Sequence, residues 1–200
     1  MARDLLKTAG SLLFVGGAEF LIAMTAAEAL FPGYSVSGNR ISDLGANCAG
    51  SACAIEQPSA GIFDVSVILL GLAGLAGGYL IFRSRYRAVG ILAMMGGLGA
   101  MGVGIFPETT GVLHLIVSFI TFFFTGLSAI TSYRLFRPPM SYLGAGLGVF
   151  VLVALALYGS STYLGLGPGG MERMIAYPAL IWVVGAGANL MGAQQRQELP

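Results

Sequence analysis

Two hundred residues would ordinarily make one soluble domain, but 56% of these are apolar, 10% are charged and the mean hydropathy is +0.83. A soluble domain carries about 25% charge to keep its surface wet, so most of this surface is expected to face hydrocarbon. A net charge of +1, with no basic patch interleaved with aromatics, excludes a nucleic-acid binder.

A membrane-spanning helix needs about 20 apolar residues, and six segments meet that length: 8–31, 61–82, 88–106, 111–133, 141–163 and 174–193. The chain is therefore predicted to be all-α, one polytopic domain forming a six-helix bundle. The first span follows Arg3 and Lys7, carries Glu19 beside Gly16 and Gly17, and reaches Glu28 near its far end. Its apolar run is too long for the core of a cleaved signal peptide. The 32–60 loop holds Cys48 and Cys53, whose spacing predicts a local disulfide in an oxidising compartment. A quinone-linked redox pair is the alternative, but it would need a second pair that this chain lacks.

Asp64 sits at the mouth of the second span, and Phe106-Pro107-Glu108-Thr109-Thr110 forces the third and fourth spans into a tight antiparallel hairpin. Thr109 or Thr110 is expected to cap the fourth span, with His114 about one turn further on. The sixth span follows the glycine run 165–170 and opens on Glu172 and Arg173; Pro178 then frees a carbonyl inside it. Glycine stripes at Gly71, Gly74 and Gly78, at Gly96, Gly97, Gly99, Gly102 and Gly104, and at Gly144, Gly146 and Gly148 predict close helix packing.

Eight of the ten basic residues fall on one side of this topology: Arg3, Lys7, Arg83, Arg85, Arg87, Arg134, Arg137 and Arg196. The positive-inside rule then predicts cytoplasmic termini in a multi-pass plasma-membrane protein. Glu28, Arg40, Asp43, Asp64, Glu108, His114, Glu172 and Arg173 are left near the opposite, extracytoplasmic face, beneath a loop long enough to act as a lid. Charged groups converging at one membrane boundary are the strongest functional signal in the chain.

That set admits several chemistries. His114 is a helix-end hydrogen-bonding residue, a general base or a metal ligand. With Asp43, Glu108 and Glu172 it would make a mixed-oxygen site for a divalent cation, although zinc sites usually want more His or Cys. Ser35 or Ser42 with His114 and an acid would form a hydrolytic triad, without a nucleophile-elbow motif to support it. The starts of spans four and six, the glycine run, Arg40 and Arg173 suit an anionic group. Glu19 is expected to face inward toward Thr121, Thr125, Ser128 or Asn189, with proton relay as the alternative. It lies nine residues from Glu28, about 180° around the helix, so the two acids share no face.

Asn39-Arg40-Ile41-Ser42-Asp43-Leu44-Gly45, Phe106-Pro107-Glu108 with His114, and Gly170-Met171-Glu172-Arg173 resemble, in order and spacing, the prokaryotic membrane family called domain of unknown function 998. The resemblance implies a six-helix bundle and marks Asn39, Ser42, Asp43, Glu108, His114, Glu172 and Arg173 as family-type positions; it implies no activity. The leading functional expectation is an enzyme acting on a lipid or amphiphile. In it His114, Asp43, Glu108 and Glu172 are catalytic or metal-binding, and Asn39, Arg40, Ser42 and Arg173 hold the substrate. A small-molecule or ion transporter and a non-catalytic lipid-binding protein are the alternatives.

Overall fold

A computed structural model of the chain describes residues 2–49 and 52–192. Arg196 and the side chain of Arg3 lie outside the described residues. Six helices follow one another: α1 Ala2–Leu30, α2 Ser59–Phe82, α3 Arg87–Ile105, α4 Val112–Thr131, α5 Met140–Gly159 and α6 Gly167–Gly192. All six are long and apolar enough to cross a membrane, where a helix satisfies its own backbone hydrogen bonds without water. Each packs on its neighbours in sequence, and α6 closes the ring against α1. The α1–α2 connection, the 106–111 hairpin and the α5–α6 turn therefore share one end, here the loop end. Lys7, Arg83, Arg85, Arg87, Arg134 and Arg137 belong to the other, the arginine end.

Glycines set the helix spacing. A Cβ on Gly71 would stand 2.5 Å from the backbone nitrogen of Met101, and one on Gly97 would stand 2.6 Å from that of Leu75. The α2 and α3 backbones thus touch directly. Gly146 is the exception in the predicted stripes, with open space where its Cβ would be.

Three boundaries differ from the expected ones by four residues or more, the first being the start of α1, at Ala2 rather than 8. The α6 helix starts at Gly167 rather than near 174, because Pro168 is tolerated in a first helical turn and the glycines beside it are held by the first loop. Gly169 donates its N–H to Ser37 O at 3.0 Å, and a Cβ there would lie 1.9 Å from Asn39 O. The backbone that approaches the glycine run is thus the chain's own. The α5 helix ends at Gly159, short of 163. Ser160 turns its hydroxyl to Leu157 O, competing with the helical ladder, and Ser161 and Leu164 take positive φ values of 57° and 51°.

The described residues of the long loop have regular structure. The loop folds through a 3-10 turn at Ser42–Leu44 into an antiparallel ribbon, β1 Asn47–Ala49 with β2 Ala52–Ala54. Cys48 and Cys53 face each other across the ribbon and are disulfide-bonded. Ile41 and Leu44 plug the loop into a cluster with Phe20, Met24, Phe31, Phe63 and Val67.

Candidate functional site

The segment before the ribbon is bound down by one guanidinium. Arg173 is 2% exposed. It donates from Nη1 to the carbonyls of Val36 (2.9 Å), Asn39 (3.1 Å) and Gly169 (3.0 Å), and from Nη2 to Tyr34 Oη (2.6 Å) and to the Glu28 carboxylate. A buried charge is tolerable only with such pairing. Tyr34 passes the chain on, donating to Arg40 O at 2.9 Å. Burial pushes its phenol above the ordinary range, so it stays a donor.

Asp43 organises the same segment from inside. Its Oδ2 accepts from Asn39 Nδ2 at 3.1 Å and from the Arg40 backbone N–H at 3.0 Å, while Asn39 Oδ1 accepts from Ser35 N–H at 2.9 Å. Asn39, Asp43 and Arg173 therefore form a clasp. None of the three lines either of the two cavities beside it.

Arg40, Ser42, Glu108, His114 and Glu172 do line one, a cavity of about 640 Å³ among α4, α5 and α6. Its polar end holds these five with Ser118, Tyr158 and Tyr163; its body is Phe119, Phe122, Leu152, Leu155 and Ile175. Leu115 and Phe119 are lining residues and also exposed apolar side chains of α4, so the cavity reaches the bundle's flank. A second cavity of about 100 Å³ runs along the axis from Ile41 to Trp182. Ser42, Ser118, Phe122 and Glu172 line both.

His114 is 5% exposed. Its Nδ1 lies 2.8 Å from Phe106 O; a carbonyl only accepts, so Nδ1 carries the proton. In the neutral ring Nε2 keeps its lone pair, facing the Ser118 hydroxyl at 3.3 Å. Glu108 Oε1 accepts from Ser42 Oγ at 2.6 Å and stands 3.5 Å from Arg40 Nη1. Burial works against the charge of Arg40, but Tyr158, Glu108, Asp43 and Glu172 together hold its guanidinium above its ordinary range. Glu172, 8% exposed, accepts the Ile41 N–H at Oε2. The side chain lines both cavities, and Arg40, on the wall of the larger, has its Nε buried without a hydrogen-bond partner among the described residues.

The four candidate metal ligands do not assemble. Among the described residues, no group of three or more His, Cys, Asp or Glu is arranged to hold an ion. Asp43, Glu108, Glu172 and His114 each turn to a different partner. The triad expectation changes too: Ser42 bonds to Glu108, Ser35 lies in the exposed turn, and the hydroxyl at His114 is Ser118, one helical turn on. Neither threonine caps α4. Gly111 stands at that position without a side-chain cap, and Thr110 bonds back to Pro107 O. Arg173 faces the loop and Glu28 rather than a ligand. Among the described residues, no hydrogen bond joins Glu19 to any of its four expected partners, and its Oε2 is buried and unpartnered, as is Asp64 Oδ1.

Sequence reasoning missed Ser118, Tyr34, Tyr158 and Tyr163. Ser118 was findable, since positions four apart share a helix face. Nothing local marks Tyr34, whose role comes from a contact with α6.

No curated protein and no solved structure matches this chain. Residues 14–189, which include every clasp and cavity residue described above, match one family model, and the chain belongs to the family it describes, protein of unknown function (DUF998).

Proposed function

We propose that this protein is an enzyme acting on a lipid or other amphiphile at the extracytoplasmic leaflet of the plasma membrane. The observation that carries this reading is the cavity among α4, α5 and α6, polar at one end, apolar below and open to the bundle's flank. A small polar metabolite has no use for such an apolar body, whereas an amphiphile fills both parts. His114 serves as general base through Nε2, with its tautomer held by Phe106 O. Glu108 and Arg40 orient the head group, and Ser118 lies within reach of the same nitrogen. The arginine end faces the cytoplasm by the positive-inside rule, and the disulfide agrees with an oxidising opposite side.

Transport would need polar groups continuing through the bilayer. The axial cavity offers Ser118, Thr121 and Thr125, but neither Glu19 nor Asn189 lines it. Incubating the purified protein with a total membrane-lipid extract, followed by mass spectrometry, tests the enzyme reading. A modified lipid is expected with the natural chain and lost in His114→Gln. Lipids that co-purify yet remain unmodified by both proteins would overturn catalysis and leave a lipid-binding protein.

A further inference from the structure

We infer that the arginine end carries a second lipid site, which takes the phosphate head group of a phospholipid of net negative charge. A cavity of about 560 Å³ opens there between the start of α3, the end of α4 and the flank of α5. Arg85, Arg87 and Arg134 all stand on its wall, and among the described residues none of the three is ion-paired. Arg85 donates to the Tyr86 hydroxyl at 2.8 Å, and the Arg87 guanidinium lies 6.0 Å over the Phe82 ring. Arg134 makes neither kind of contact among the described residues. Asp4, the described carboxylate of that end, sits on α1, which packs chiefly on α2 and α6.

The backbone adds donors of its own. Tyr86, which caps α3, offers no side-chain hydrogen bond, and Gly90 is the first residue of that helix whose N–H bonds back, to Tyr86 O at 3.1 Å. Ala88 and Val89 also line the cavity, so their N–H groups are open at the positive end of a 19-residue helix. The facing end of α4 is closed by its own chain, where Ser132 N–H bonds to Ile130 O and Ser128 O. Phosphate oxygens accept from guanidinium and backbone donors alike. A zwitterionic head would bring its own cation among three others, whereas a net-negative head brings none. The wall also points to a lipid rather than a solute. Ile130 and Ala145 extend it along helices that cross the membrane, and Tyr133 stands 49% exposed beside them, as interfacial tyrosines do. In the topology proposed above this is the cytoplasmic leaflet, where anionic lipids meet basic pockets between helices.

Dipalmitoyl phosphatidylglycerol and dipalmitoyl phosphatidylcholine share their chains and differ at the head, so their binding to the delipidated protein in maltoside micelles tests the inference. Native mass spectrometry should show the anionic lipid bound at least about tenfold more tightly. Arg87→Gln with Arg134→Gln should bring it down to the level of the choline lipid. Arg83→Gln with Arg137→Gln removes the same charge from the same end, but neither residue lines the cavity. That pair should change the affinity by less than about twofold, because distant exposed charges are screened by salt. Ala145→Trp fills the cavity without altering charge and should also abolish the preference. Equal losses from the two arginine pairs would overturn the site and leave only diffuse attraction to a basic end. Equal binding of the two lipids by the natural chain would overturn it as well. Millimolar inorganic phosphate should leave the bound lipid in place, and its displacing the lipid would assign the cavity to a soluble phosphorylated ligand instead. The natural chain's preference and Ala145→Trp decide the matter even if an arginine pair folds poorly. None of these outcomes involves His114, so the enzyme reading at the loop end stands or falls separately.

Discussion

Glu172 and Arg173 are adjacent, yet they serve different parts of the molecule. Successive residues on an α-helix point about 100° apart, which sends Arg173 toward α1 and the first loop and Glu172 toward Ile41 and the cavities. The difference is measurable. Arg173→Gln removes one partner of a buried ion pair and three carbonyl contacts, and it should destabilise the protein by about 3–5 kcal/mol. His114→Gln gives up only the Phe106 and Ser118 contacts and should cost less than about 2 kcal/mol while abolishing turnover. Thermal unfolding in detergent checks both. A large loss for His114→Gln with a small one for Arg173→Gln would show that the clasp has been assigned to the wrong residues.

At the level of helices and loops, much was legible. The six spans, the α3–α4 hairpin, the Cys48–Cys53 pair and the gathering of charged residues at one end all follow from apolar run length and spacing. Helices in hydrocarbon must satisfy their own backbone, so composition nearly dictates them. The start of α6 was not legible, because Gly167-Pro168-Gly169-Gly170 reads as a loop and becomes helix only through its contact with residues 36–39. The division of the polar set into clasp and cavity was hidden for the same reason. It depends on Tyr34 and Asp43 reaching groups that lie far off or fold back locally, and no local pattern encodes that. Two glycines test the point. Gly169→Ala drives a methyl into Asn39 O and should lower stability by about 1–3 kcal/mol. Gly146→Ala meets open space in a helix and should be neutral or stabilising by up to about 1 kcal/mol. Equal melting temperatures for the two would mean that the loop does not lie on α6.

The whole molecule is a ring of six helices sealed at one end by a loop, and its sidedness decides which leaflet the cavity serves. Because α6 closes on α1, the loop end gathers pieces from all the helices into one surface. The ribbon above it adds the disulfide, whose loss in Cys48→Ser with Cys53→Ser should reduce stability by about 2 kcal/mol by chain entropy. In that background a single new cysteine reports orientation. Ser37→Cys sits on the exposed loop and Arg137→Cys at the exposed arginine end. A membrane-impermeant maleimide applied to intact cells should label Ser37→Cys, and should reach Arg137→Cys only after the membrane is opened. Charge sets this outcome: among the described residues the arginine end carries six basic side chains, and cations are retained on the cytoplasmic side during insertion. Labelling of Arg137→Cys alone in intact cells would invert the topology, move the cavity to the inner leaflet and put the disulfide in a reducing compartment, where it would not persist.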